Sequence, residues 1–392
     1  MTAQKKLLAL DILRGVACLL VWFSHLRVST TYFNSAKYDF LQIFVAWGHE
    51  AVVIFFILSG IVINLSSQNK LDRATYFKKR FIRIYPIYFV VLLICFFTVV
   101  FILNYSVDLR TLIGNLFLSA TLQGYIVRTM PMNAAIWSIT CEAFFYIIFG
   151  ILFTTNRIKW IWVWFSVCCV SIIYKIIYAG EQPGLINHVV FLLNNSFLWL
   201  LGYLAFEYRN KVTTSFPVAM AGLLMVPMVT RVHQLNKGLL ELMLYLAGLY
   251  LLPLFIFLLK NYKPNPEIKR DINHFFIVPL YLVSLLLLWN YSNSLVISKI
   301  IYSTIPFLSL MFYLPPVMAL INFLYNFFKR IFIFLADISY PLYLLHMPIM
   351  SIINNFLPEQ KAFGMILIVF LTISLSYIFE IYLFKKLSPD KK

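Results

Sequence analysis

Leu7–Leu26 reads LLALDILRGVACLLVWFSHL. It is apolar and about as long as a bilayer is thick, where a span needs about 20 residues. It nevertheless carries Asp11, Arg14 and His25. At about 100° per residue, eleven positions bring Arg14 and His25 to nearly the same face, about 16 Å apart along the axis. Asp11 falls within about 60° of both. One polar stripe therefore runs along an apolar helix. Ionisable groups at membrane depth are costly, so by default they face a protein interior or a water-filled site.

The rest of the chain has the same character. Of 392 residues, 62% are hydrophobic and 12% charged, against roughly half and a quarter in soluble domains. The expectation is an all-α polytopic membrane protein forming one membrane-embedded domain over residues 1–392. The 32 Lys+Arg against 15 Asp+Glu give a net charge of +17. In a soluble chain that excess would point to nucleic acid. Here the basic residues cluster between apolar segments, where they set orientation and meet anionic lipid. No nucleic-acid partner is expected. The first segment is too long and too polar for a cleaved signal peptide. Cys18, Cys95, Cys141, Cys168 and Cys169 lie in apolar stretches without metal-ligand spacing, so neither disulfides nor a metal site is expected.

Spans are expected near 7–27, 43–65, 83–104, 136–154, 159–178, 187–206, 215–230, 239–259, 274–290, 300–323, 332–353 and 363–384. The segments 215–230 and 274–290 fall short of full length, giving about 10–12 transmembrane helices. Residues 111–125 are apolar but shorter still, and read as re-entrant or interfacial. Lys5 and Lys6 precede the first span, and Lys70, Arg73, Lys78, Lys79, Arg80 and Arg83 follow the second. Arg157 with Lys159, Arg209 with Lys211, Lys260 through Arg270, Lys329 with Arg330, and Lys385 with Lys386 follow later even-numbered spans. Both termini are then expected in the cytoplasm, in a plasma membrane of the bacterial inner-membrane type.

That topology sorts the unusual residues. Arginines gather toward the inside, while His25, Glu142 and His346 gather toward the outside. A histidine titrates near neutrality and can act as general base, and His25 is the leading candidate. Asp11 with Arg14 is either part of the site or a structural ion pair that lets both be buried. Arg80 and Arg83, one turn apart, can clamp phosphate oxygens, or simply supply positive-inside charge. Tyr85-Pro86 predicts a shaped helix start. Glu142, in WSITCEAFFY, could orient a histidine or hold a substrate hydroxyl. Ser59-Gly60, in FFILSG, allows close helix approach. His49 and Glu50 read as solvated loop residues.

These stretches, in this order, resemble the acyltransferase family 3 membrane proteins. LDILRGVACLLVWFSHL is similar to their LDGLRGIAALLVVLFH, and FFILSGIVI to FFVLSGFLI. RFIRIYPIYF carries their Arg-x-x-Arg-x-Tyr-Pro segment at Arg80, Arg83, Tyr85 and Pro86. WSITCEAFFY resembles WSLSVEEQFY, and ISYPLYLLHMPI resembles ISYSLYLWHWPI. The second glutamate of the family pair is Ala143 here, and the family core has ten spans.

The resemblance implies an O-acyltransferase, most often an O-acetyltransferase, acting on cell-surface or exported carbohydrate with acetyl-CoA or another acyl-CoA as donor. It implies catalytic roles for His25, Glu142, Arg14 and Asp11, and donor binding by Arg80, Arg83, Arg14 and Tyr85. His346, Tyr343, Trp137 and Ser59 are the expected substrate contacts. The expected partners are membrane lipid, acyl-CoA and an extracytoplasmic glycan, with no metal. The alternative from another class is a transporter or flippase of a glycan or lipid-linked substrate, since buried His, Glu and Arg also mark transport paths.

Overall fold

A computed structural model describes residues 8–29, 47–67, 72–152, 157–178, 184–235, 240–259, 270–272, 274–291 and 296–384. The helices are α1 Leu8–Ser29, α2 Gly48–Ser66, α3 Arg73–Phe97, α4 Leu109–Leu116, α5 Trp137–Ile151, α6 Arg157–Ile177 and α7 Leu185–Glu207. They continue as α8 Phe216–Leu235, α9 Leu240–Leu259, α10 His274–Tyr291, α11 Val296–Thr304, α12 Pro315–Asp337, α13 Ser339–Phe356 and α14 Lys361–Ile378. Short π-helical turns extend α3 and α14, at Thr98–Ile102 and Phe379–Phe384. Two three-residue strands, β1 Val212–Thr214 and β2 Arg270–Ile272, pair in parallel.

Among the described residues, nine helices are long and apolar enough to cross a membrane. The protein is an all-α multi-pass membrane protein. The short segments expected at 215–230 and 274–290 form α8 and α10. The segment 111–125 does not cross. Its helix α4 is eight residues long and ends at Leu116, and two residues on Leu118 turns the chain with a left-handed φ of +53°. The Ser119 amide closes that turn onto Gly114 O at 2.8 Å. Buried Asn115 then clamps the returning chain, donating to Arg128 O at 2.8 Å and accepting from the Met130 amide at 3.2 Å.

Two boundaries differ from the sequence expectation. The spans expected at 300–323 and 332–353, with a basic loop between them, give way to α12 over Pro315–Asp337 and α13 over Ser339–Phe356. Pro315 and Pro316 start a helix readily because their missing amides fall where helix amides lack partners anyway. No helix breaker follows before Asp337, so Lys329 and Arg330 lie within α12 rather than in a loop. Likewise α3 starts at Arg73, where Asp72 caps it by accepting from the Thr75 amide at 2.8 Å. Pro86 is therefore mid-helix, not at a helix start. Lys5, Lys6, Lys70, Lys260, Lys263, Lys269, Lys385 and Lys386 lie outside the described residues.

The chain divides into two compact units: Met1–Ala17, His49–Gln68 and Phe197–Phe334 form unit 1, and Cys18–Gly48, Asn69–Ser196 and Leu335–Lys392 form unit 2. Unit 1 brings α2 against the second half of α7 backbone to backbone. A Cβ on Gly60 would stand 2.0 Å from Trp199 O, and one on Gly202 1.9 Å from Ile57 O. The FFILSG stretch does permit the close approach its small residue predicts. Asn64 fastens the pair, donating to Tyr203 O and to Glu207 Oε2, both at 2.9 Å.

Unit 2 is organised around α13, most of whose residues are buried. Its side chains and carbonyls reach three other segments. Tyr340 Oη donates to Ile84 O of α3 at 2.7 Å. Tyr343 Oη donates to Ala135 O at 3.0 Å and accepts from Ser138 Oγ at 2.7 Å, at the start of α5. Cys18 Sγ of α1 lies 3.8 Å from Ser339 O. Pro348 has no amide to offer the carbonyl four residues back, Leu344 O. Buried Asn133 donates to that carbonyl at 3.0 Å.

Candidate active site

His25 and His346 meet inside unit 2. His346 Nε2 lies 3.1 Å from His25 Nδ1, with ring centroids 5.0 Å apart and planes at 49°. The contact is therefore edge to edge through nitrogen rather than stacked. Each ring also reaches its own helix: His25 Nδ1 lies 3.0 Å from Val21 O, and His346 Nδ1 lies 3.2 Å from Leu342 O. His346 is fully buried. The Tyr343 ring packs against it with centroids 5.8 Å apart.

Glu142 sits in the second turn of α5, in the same unit. It accepts a short hydrogen bond from Tyr146 Oη, one turn on. Tyr146 also forms part of an aromatic cradle for Arg80, whose guanidinium lies 5.5 Å from the Tyr146 ring centroid and 5.7 Å from that of Tyr76. Such contacts hold a cation through the faces of the rings.

Arg83, one turn along α3, points at a different neighbour. Its Nη1 lies 3.0 and 3.2 Å from the two oxygens of Glu380, and its guanidinium lies over the Tyr340 ring at 5.6 Å. Arg80 and Arg83 thus share a helix face as the spacing predicts, but each has its own cradle. Tyr85 serves the frame: its hydroxyl donates to Leu116 O at 3.1 Å, and its ring stacks on Phe81. Trp137, first in α5, is buried edge-on against Phe191 at 5.6 Å.

The remaining expected site residues belong to unit 1. Arg14 and Asp11 form a short ion pair one turn apart on α1. Ser59 is half-buried in α2. Glu50 is not the solvated loop residue its position implies. It is 3% exposed, in the first turn of α2, where a helix N-terminus favours a carboxylate.

Sequence reasoning passed over Tyr146, Ser138, Asn133 and Glu380. Tyr146 had a local signal, because a donor four residues after a buried acid falls on the same helix face. Glu380 had a weaker one, as a carboxylate in an apolar segment. Nothing local marks Asn133, whose role exists only because Pro348 leaves a carbonyl unserved.

Comparison with known proteins identifies the family. The acyltransferase domain model of the family-3 type matches residues 7–381. Acyltransferase MdmB of Streptomyces mycarofaciens is 27% identical over 161 residues, covering 39% of this chain and 40% of that protein's length. No solved structure matches. The family match runs from the first residues of α1 to the π-helical turn after α14, taking in both histidines and both arginines, so the chain belongs to the acyltransferase 3 family of membrane acyltransferases.

Proposed function

We propose that this protein moves an acetyl or similarly short acyl group from cytoplasmic acyl-CoA to a hydroxyl of a cell-surface or exported polysaccharide, with His25 as general base. The observation that carries the reading is the His25–His346 contact, in a unit that also holds Glu142, Arg80 and Arg83.

The chemistry balances on these residues. The acceptor hydroxyl attacks the thioester carbonyl while an imidazole nitrogen of His25 takes its proton. The tetrahedral intermediate collapses, the carbon–sulfur bond breaks, and the CoA thiolate leaves. The imidazolium returns the proton to that thiolate. The products are the O-acyl sugar and CoA thiol. Polyanionic CoA is matched by Arg80 and Arg83, each pre-oriented by aromatic rings, with Tyr85 bracing their helix. Glu142, oriented by Tyr146, is the polar group for the sugar hydroxyl, and Tyr343 and Trp137 wall the acceptor side. Arg14, Asp11 and Ser59 belong to unit 1, and the reading assigns them no step.

The test is His25→Ala in cells whose surface polysaccharide is read by NMR. The variant is expected to insert and fold, and to leave the O-acyl signals absent. Wild-type acylation in that variant overturns the reading. Movement of glycan by purified protein without consumption of acyl-CoA would favour the transporter instead.

A further inference from the structure

We infer that His346 is a positioning residue: its Nε2 lone pair accepts the Nδ1 proton of His25 and holds neutral His25 in the tautomer whose lone pair lies on Nε2. The inference rests on the reading of His25 as general base, and it names the nitrogen that does the work.

A carbonyl oxygen can only accept. His346 Nδ1 lies 3.2 Å from Leu342 O, so that nitrogen carries a hydrogen. In a neutral imidazole the other nitrogen is then an acceptor. That acceptor, His346 Nε2, lies 3.1 Å from His25 Nδ1. His25 Nδ1 also faces Val21 O at 3.0 Å. It is thus bordered by two acceptors and must supply the hydrogen. Neutral His25 is left with its lone pair on Nε2.

The opposite assignment puts lone pairs face to face twice. If His346 Nε2 donated to His25 Nδ1, the bare Nδ1 of His346 would oppose Leu342 O and the bare Nδ1 of His25 would oppose Val21 O. Val21 O already accepts from Ser24 Oγ at 2.7 Å. His346 is therefore the better-placed acceptor for the His25 proton. This is the function a carboxylate or carbonyl performs when it fixes a catalytic histidine. Here a second imidazole performs it, itself anchored by the first turn of α13. A neutral acceptor adds no negative charge, so it orients the base without raising its basicity as a carboxylate would.

The test uses the full chain in lipid nanodiscs with ring-15N-labelled histidine, and His25 assigned by its loss in His25→Gln. The wild type is expected to show His25 protonated on Nδ1. His346→Gln places an amide oxygen where Nε2 stood and is expected to keep that pattern. His346→Leu is expected to show a mixture of tautomers. With acetyl-CoA as the probe donor and CoA thiol release in native membranes as the readout, His346→Leu should lose about ten- to a hundred-fold in kcat, the scale on which removing the partner that orients a metal-bound histidine acts. KM for acetyl-CoA should not change, and His346→Gln should restore most of the rate. Wild-type His25 protonated on Nε2, or a His346→Leu protein with unchanged tautomer and kcat, overturns the inference. If His25→Gln itself keeps full turnover, the general-base reading fails, while the wild-type spectrum still decides the tautomer.

Discussion

Arg83 Nη1 reaches both carboxylate oxygens of Glu380, at 3.0 and 3.2 Å, across 297 positions of sequence. One of the two arginines proposed for the donor's phosphates is thus already balanced by a nearly buried acid, with side-chain exposures of 29% and 9%. A phosphate arriving at Arg83 meets that carboxylate as a competitor. Glu380→Gln keeps the shape and removes the charge. It should tighten CoA binding about five-fold, for a like-charge repulsion of about 1 kcal/mol at this partly exposed site. Arg83→Ala should weaken it. Calorimetric titration with CoA reads both, and equal affinities in all three proteins would remove Arg83 from the donor site.

Tyr146 ties the acid of the site to one of its bases of positive charge, donating to Glu142 while its ring lies under Arg80. Tyr146→Phe keeps the ring and deletes the donor. The expected cost in stability is about 1 kcal/mol, that of one hydrogen bond. Acylation should fall further, by about ten-fold or more, because a carboxylate that has lost its orienting donor no longer meets the substrate hydroxyl in register. A variant whose rate falls no more than its stability explains would make Glu142 structural.

Gly60 and Gly202 allow α2 and α7 to touch through their backbones. Gly60→Val places two methyl groups where Trp199 O stands, and backbone cannot move aside as a flexible side chain can. Overpacking of this kind costs about 1–3 kcal/mol or more. The thermal midpoint in detergent should drop by several degrees, while Val62→Ala, on an exposed position of the same helix, should leave it unchanged.

Asp72 and Asp108 cap α3 and α4, each through a Thr three residues on. Hydrogen bonds from Thr75 and from Thr111 hold the two carboxyls below their ordinary value. A depressed folded value means the stabilisation is complete above the unfolded carboxylate range and is lost as pH falls through the folded one. Amide exchange at Thr111 should therefore accelerate, after correction for intrinsic rates, in acid below that range. Asp108→Asn still caps but cannot titrate, so its protection should stay flat over the same interval.

The histidine, arginine and glutamate positions were legible in the sequence because a bilayer penalises each one. A polar residue in an apolar run stands out without any knowledge of its neighbours. The glycine of FFILSG was legible for a similar local reason. The helix boundaries around Pro315 and Arg73 were not: apolar character runs straight across Pro315, whereas α3 begins in a basic stretch ahead of its apolar run, and only the residues at the helix starts place them.

The sequence by itself determined that this chain is a multi-pass helical membrane protein, that α1 bears a polar stripe, and that five motifs of one family follow in order. Those properties are periodic or local, so they can be read along the chain. Only the tertiary structure decided which polar residues meet. It set His346 against His25 across 321 positions and Glu380 against Arg83 across 297, and it gave Asn133 to the carbonyl that Pro348 leaves open. A buried polar group must find a partner somewhere, but its own sequence neighbourhood does not say where. That choice is made by how the helices pack, and it turned α13 from one more apolar segment into the helix that unit 2 is built around.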